Sequence, residues 1–313
     1  VDGSGTIFTG MGGAASNVDG VSAFSHACNT PSSLAYYNNS LYVACYGGHR
    51  VKRWDLLTDL AYTFYGNGTN AIAANGTAPT AGGAANPYDI FITNEGMYVT
   101  HAAHHRIRFV NFSGGPKTFW SGTASNMVVN NNTVSTIIGT GTAGSVASGN
   151  STAIDIGSPS GIVVLGNYIY FSIRQGSADR FYLANNSAGN VTIAGYTVNA
   201  YTTGRISNGT AGYNGSGNGL NLATVNEPYH MSIDVLDPNV IAFSDYGNNR
   251  LRYFTLDTQK IHDLVGSGNL RGDHYGDPLF PTLQHYFNNT NGVTFARAPR
   301  TISFVAQPPP RLR

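Results

Sequence analysis

The sequence predicts an all-β fold of the β-propeller type, on three observations. A strand-turn-strand segment that runs into an arginine occurs four times along 313 residues. Gly, Asn, Asp and Ser punctuate short apolar runs throughout, and no stretch carries the 3.6-residue period of an amphipathic helix. Each copy opens a period of roughly 56–72 residues with room for four strands, which is the spacing of propeller blades rather than of a sandwich.

The four copies are PSSLAYYNNSLYVACYGGHRVKRW from Pro31, NPYDIFITNEGMYVTHAAHHRIRFV from Asn86, SPSGIVVLGNYIYFSIRQGSADRFYL from Ser158 and EPYHMSIDVLDPNVIAFSDYGNNRLRYF from Glu227. In each, a proline opens a short apolar strand and a Gly/Asn/Asp turn follows. A second strand then carries aromatic and β-branched residues, and a small-residue turn leads into an arginine followed by alternating apolar residues. The arginines form one column: Pro31 to Arg50 and Pro87 to Arg106 span 19 residues, Pro159 to Arg180 spans 21, and Pro228 to Arg250 spans 22. Such slippage is what loops absorb.

Fourth strands running into glycines follow at LAYTFYGNG (60–68), VSTIIGTG (134–141) and KIHDLVGSG (260–268), with VNAYTTGRI (198–206) the weaker candidate in the third copy. GTIFTGMG (5–12) reads as the last strand of a closing blade, and APRTISFVA (298–306) as the first strand of a fifth unit that stops there. The expectation is one propeller domain over 1–313 with about four complete blades, a partial terminal blade and a Pro-rich tail at 307–313. An open propeller leaves strand edges and one side of its core uncovered. Three explanations fit: the chain is a piece of a longer polypeptide, neighbouring copies supply the missing strands, or the breaker-rich stretch 268–298 hides a degenerate blade. The tail is either mobile or docked, on its own blade or on another protomer.

At LYVACYGGHRV (41–51), MYVTHAAHHRI (97–107), IYFSIRQGSADRF (169–181) and IAFSDYGNNRL (241–251) the chain resembles the NHL-repeat β-propeller family. Blades of that family have a proline-led first strand, a "lYVaD" second strand and an "nnRIr" third strand. The resemblance covers nearly the whole chain and implies closure with five or six blades. The family's aspartate stands here only as Asp245, its place being taken by Cys45, His101 and Ile173 in the other copies.

Charged residues make up 11% of the chain, and Lys+Arg 17 against Asp+Glu 16 gives a net charge of +1. No global field exists to attract nucleic acid or an anionic membrane. No run approaches the roughly 18 apolar residues of a membrane span, and VDGSGTIF lacks the regions of a signal peptide, so that none exists or it has been removed. Asn-x-Ser/Thr sequons begin at Asn38, Asn67, Asn75, Asn111, Asn131, Asn150, Asn185, Asn190, Asn208, Asn214 and Asn288. That is about twice what composition gives by chance, so the reading is a secreted N-glycoprotein, with an Asn-rich turn composition as the alternative. Cys28 and Cys45 flank strand-like LAYY and LYVA, and in a secreted context read as one disulfide, the alternative being two buried thiols.

Candidate sites divide by how often they recur. The pairs Arg50/Lys52, Arg106/Arg108 and Arg250/Arg252 recur from blade to blade, so bracing or solvation of the blade fits them better than ligand binding. His101, His104 and His105 are close enough together to hold a transition metal, with exposed turn histidines as the bland reading. Ser33, Asp89, Gly161, His230 and Thr301 share one column near the start of first strands, a candidate channel mouth where propellers bind ligands. GYNGSGNG (212–219) lacks the partners of a phosphate or calcium loop and reads as a glycosylatable inter-blade loop, while Asp273 and Asp277 could assist a calcium ion.

The function expected from these features is that of a secreted, N-glycosylated structural or adhesive protomer. Such a chain self-associates through its terminal strands, requires no cofactor and forms a fibre if the contact is heterologous. The alternatives are a propeller lyase or hydrolase using His230, Asp89 and Tyr229, and a monomeric ligand- or glycan-binding module.

Overall fold

The computed structural model describes residues 10–12, 16–121, 126–175, 179–234, 236–266, 288–296 and 301–307. Its regular elements there are strands and single 3-10 turns. The chain divides into two compact units, Val1–Thr118 with Val128–Thr136 and Phe119–Met127 with Ile137–Arg313.

The first unit holds two blades. Blade 1 is built from β1 (Val21–Ser22), β2 (Pro31–Tyr37), β3 (Ser40–Cys45), β4 (Arg50–Asp55) and β5 (Leu60–Tyr65), in the antiparallel order β1-β5-β4-β3-β2. Its first hairpin turns at Asn38 and Asn39, with φ of 45° and 54°. Two consecutive left-handed residues make the tight turn whose twist matches the strands, and Asn tolerates that conformation. Blade 2 takes β6 (Ile90–Ile92), β7 (Gly96–His101) and β8 (Arg106–Asn111). After the short strands β9 (Lys117–Phe119) and β10 (Met127–Val129) it ends with β11 (Val134–Ile138), in the order β11-β8-β7-β6. The two blades bury a common core of Tyr42, Ala44, Val51 and Tyr65 against Ile90, Met97, Val99 and Val110. Edge-on aromatic contacts extend it, with Tyr42 and Phe64 centroids 5.0 Å apart and Phe64 and Phe112 5.7 Å apart.

In the second unit, blade 3 has β12 (Ser148–Asn150), β13 (Ser158–Leu165), β14 (Tyr168–Arg174) and β15 (Arg180–Asn185). A hairpin of β16 (Val191–Ile193) and β17 (Tyr196–Val198) precedes its β18 (Thr202–Arg205). Blade 4 comprises β19 (Asn218–Gly219), β20 (Pro228–Ile233), β21 (Val240–Asp245), β22 (Arg250–Thr255) and β23 (Lys260–Val265). Their orders, β12-β18-β15-β14-β13 and β19-β23-β22-β21-β20, repeat that of blade 1. Phe181 of blade 3 packs on Phe243 and Phe254 of blade 4 at 4.8 and 5.1 Å. The first strands β13 and β20 approach so closely that a Cβ at Gly161 would collide with the Tyr229 carbonyl and Met231, which is why that position is glycine.

Four first, second, third and fourth strands thus stand where the sequence places them, including β18 in the weak copy. Each sheet also gains a short outer piece from the segment before its blade: β1, β12, β19 and, in blade 2, a bridge from Thr77 to Val134. Two or three residues are too few for a periodicity to register. The terminal unit differs from expectation. The proposed fifth first strand, 298–306, corresponds to β25 (Thr301–Gln307), and it pairs antiparallel with β24 (Asn288–Ala296), which lies in the breaker-rich stretch 268–298. β24 is the strand that runs beside β20 and β21, so the place of a fifth first strand belongs to β24. NNTNG reads as turn chemistry, and register shifts at Asn288/Thr290 and Thr290/Gly292 accommodate it in the strand. Of the proposed N-terminal strand 5–12 only residues 10–12 are described, and Asp273, Asp277 and the tail residues 308–313 lie outside the described residues.

Candidate functional site

In three of the four blades the end of the second strand ties the blade to the chain leading into its first strand. In blade 1 Cys45 does this covalently, bonded to Cys28 with Cα atoms 5.2 Å apart. In blade 2 the buried His101 sends Nδ1–H to the Ala85 carbonyl at 2.6 Å; a carbonyl only accepts, so Nε2 is the acceptor for the Tyr65 hydroxyl at 3.3 Å. In blade 4 Asp245 Oδ1 accepts the Asn226 N–H at 2.7 Å. Ile173 of blade 3 is buried and apolar. Burial lowers the His101 pKa to about 3 and raises that of Asp245 to about 6. His101 is therefore a neutral core residue rather than an exposed turn histidine. His105 takes the left-handed position after the 3-10 turn, as His49 and Asn249 do in blades 1 and 4. Among the described residues no three His, Cys, Asp or Glu side chains converge as a metal site.

The basic column is a brace. Arg50 donates to the Asn67 carbonyl at 2.5 Å and Arg180 to the Ser145 carbonyl at 3.5 Å, and the two guanidiniums lie against Gly68 and Gly209. Two residues further on, Lys52, Arg108 and Arg252 are fully buried, as is Tyr182 in blade 3. Each reaches the segment that supplies the outer edge of its own blade. Lys52 Nζ donates to Asn17 Oδ1 at 3.1 Å, Arg108 to the Ala74 carbonyl at 3.3 Å, Tyr182 to the Val146 carbonyl at 2.8 Å and Arg252 to the Gly215 carbonyl at 2.9 Å. Burial lowers the Lys52 pKa to about 8. Arg252 also pairs with Asp245 and Asp263, both at 3.0 Å, and the Arg250 guanidinium lies 3.7 Å from the Tyr213 ring centroid. GYNGSGNG is thus the docking segment for Arg252 as well as a loop.

Members of the proposed channel-mouth column meet within each unit. Ser33 donates to Asp89 Oδ1 at 2.6 Å, and the same oxygen accepts the Ile90 N–H at 3.0 Å. Gly161 sits against Tyr229 and Met231, and His230, on β20, is buried. Tyr229 accepts from Arg174 at 2.6 Å with the guanidinium 4.2 Å above its ring. Thr301 leaves the column, because β25 pairs with β24 and the latter runs beside β20.

The sequons divide by accessibility. Asn38, Asn67, Asn75, Asn131, Asn150, Asn190 and Asn214 are exposed and Asn208 is half-buried; Asn288 begins β24. Asn111 and Asn185, by contrast, are wholly buried. Asn111 Nδ2 donates to the carbonyls of Gly115 and Val129 at 2.9 and 2.7 Å, and Asn185 Nδ2 donates to those of Gly189 and Val198 at 2.8 and 3.3 Å. Their Oδ1 atoms accept from Ser113 and Ser187, the sequons' own serines. In the folded chain these two amides close the loops that follow third strands, which sets them apart from the sequons on exposed turns.

No family model matches the chain, and neither does any curated protein. Solved structures do. The chain resembles one from the nidogen/laminin complex (12% identity, 91% of this chain and 75% of that one, TM-score 0.50). It also resembles an auxiliary nutrient binding protein from Bacteroides ovatus (13% identity, 92% and 69%, TM-score 0.50). A streptogramin B lyase aligns with 12% identity over 88% of this chain and 62% of its own, at a TM-score of 0.44. The likeness is one of fold: the chain is an all-β protein of about four propeller blades.

Proposed function

We propose that this chain is an N-glycosylated, NHL-type propeller that serves as a structural or adhesive protomer of an extracellular assembly. The observation that carries the reading is the hairpin β24–β25. It starts a fifth blade beside β20, and among the described residues β25 has a single strand neighbour, β24. An unpaired strand edge offers a row of backbone donors and acceptors, and strand addition is the ordinary way for another chain to satisfy them. The disulfide and the seven exposed sequon asparagines support an extracellular setting, and no helix among the described residues is long and apolar enough to cross a membrane. The ends of the second strands of blades 1, 2 and 4 and the buried basic residues of their third strands are committed to bracing, which supports a scaffold role. Sedimentation of the glycosylated chain over a hundredfold concentration range tests the proposal. Mass rising in steps of one chain supports it, and a constant mass of one chain overturns it.

A further inference from the structure

Blades 1 and 2 differ from blade 4 at the turn between second and third strands. The left-handed position there is met in blade 4 by Asn249, with φ of 53°, and in blades 1 and 2 by His49 and His105, with φ of 50° and 51°. Asparagine satisfies that conformation without a titratable group, so the imidazoles exceed what the turn requires. In blade 4 the arginine after the turn is neutralised, with Asp263 3.3 Å from Arg250. The first unit places its described carboxylates elsewhere. Asp55 and Asp59 flank the β4–β5 turn and Glu95 lies in the β6–β7 turn, both at the opposite strand ends, with Asp55 paired to Arg53 and Glu95 to Lys117 at 2.7 Å. Asp19 accepts the Thr63 N–H, and Asp89 is buried with its Oδ1 held by Ser33 and the Ile90 N–H. The histidine end is compact. His49 Nδ1 accepts the Asn86 N–H at 3.1 Å, which leaves Nε2–H as its donor. Asn86 Nδ2 donates to the Tyr46 carbonyl at 3.3 Å, and the rings of Tyr46 and Tyr88 meet edge to face at 6.1 Å. Burial first, then Arg106, His105 and His49 hold His104 below the usual imidazole range, so the turns of the two blades share one field. These side chains are half-buried, and the three histidines do not converge as metal ligands. Their common property is positive charge beside tyrosine rings.

We propose that this end of blades 1 and 2 binds an acidic glycan, with uronate or sulfate groups on His104, His105 and Arg106 and a sugar ring against Tyr46 and Tyr88. The inference rests on the extracellular, adhesive reading and names the chemistry that is adhered to. Guanidinium and imidazolium groups donate charge-assisted hydrogen bonds to such anions, and tyrosine offers apolar area with a polar tip. A nucleic acid also carries anions, but the net charge of +1 and the disulfide favour an extracellular glycan over a polyphosphate. A bound anion stabilises the charged imidazoles, so affinity rises as pH falls. The neighbouring charges leave that response to His104 and His105. Arg50 is tied to the Asn67 carbonyl, Arg108 and Asp89 are buried, His101 is buried and neutral, and His49 keeps Nδ1 as an acceptor.

The test titrates the whole glycosylated chain with tetragalacturonate, a sulfated tetrasaccharide, neutral cellotetraose, sodium sulfate and a short single-stranded oligonucleotide. One or both acidic tetrasaccharides should bind, about tenfold more tightly near pH 5.5 than near pH 8, and which of them binds separates carboxylate from sulfate recognition. His104→Gln with His105→Asn keeps a residue suited to the left-handed position; it should retain the parent's melting temperature and lose both the affinity and its pH dependence. The histidine Cε1–H signals of the unaltered chain give a second answer without substitution. Those of His104 and His105 should move with the acidic tetrasaccharide while those of His230 and His262 stay. Cellotetraose or sulfate binding as tightly overturns the inference in favour of a neutral sugar or a small anion, and the oligonucleotide binding as tightly overturns it in favour of nucleic acid. Binding that survives the double variant, or that leaves the His104 and His105 signals unmoved, also overturns it. A chain that assembles on sedimentation but binds neither acidic tetrasaccharide overturns it and leaves the protomer reading intact, whereas one that binds without assembling supports it and overturns the protomer reading.

Discussion

Cys45, His101 and Asp245 perform one task with three chemistries, a disulfide, a neutral imidazole and a carboxylate, each fixing the end of a second strand to the chain just before the first. The position was legible in the sequence as a departure from the family's aspartate; the shared task was not, because three unlike residue types have no common pattern. His101 makes the task sensitive to pH. Its folded pKa lies below the ordinary value of 6.5, at about 3, so the unfolded chain binds the extra proton and stability falls as pH drops from 6.5 toward 3. Between pH 6.5 and 5 the loss is about 2 kcal/mol at about 1.4 kcal/mol per pH unit. His101→Gln should flatten that part of a melting-temperature profile, and an unchanged slope would mean that His101 takes up its proton alike in the folded and unfolded chains. At the same scale, Asn111 and Asn185 carry sequons indistinguishable from those on exposed turns; burial alone tells them apart. Glycopeptide mass spectrometry should find them unmodified and glycans among Asn38, Asn67, Asn75, Asn131, Asn150, Asn190 and Asn214. Asn185→Ala should cost about 1–3 kcal/mol in denaturant unfolding, the penalty of stranding buried backbone carbonyls.

The blade is the element at which sequence and structure agree best. Proline-led first strands, Gly/Asn hairpins and the arginine column each obey a local rule, and local rules survive in one copy after another. Strand β24 escaped because Asn288–Gly292 reads as turn, and the outer strands because they are held by partners rather than by pattern. Those partners are the basic column, whose buried member links a third strand to the outer edge of its own blade. In blade 4 this is an ion network, and Arg252→Met leaves Asp245 and Asp263 without their buried cation. The expected cost is about 3–5 kcal/mol. Arg252→Met combined with Asp245→Asn should recover part of it; additive losses in the double variant would mean that the pair is not coupled. Replacing Cys28 and Cys45 by serine should remove about 3 kcal/mol, the closure entropy of a loop of this length.

For the whole molecule, blade number could be counted from repeats, but what covers the first and last blades could not, since a repeat carries no record of its neighbour. Exposure leaves its mark at Leu34 and Tyr36, which are 61% and 62% exposed. Electron microscopy of the glycosylated chain over a range of concentrations tests the account most directly. It predicts assemblies that contain many chains. A field of discrete particles, each of one chain's mass at every concentration, would contradict it.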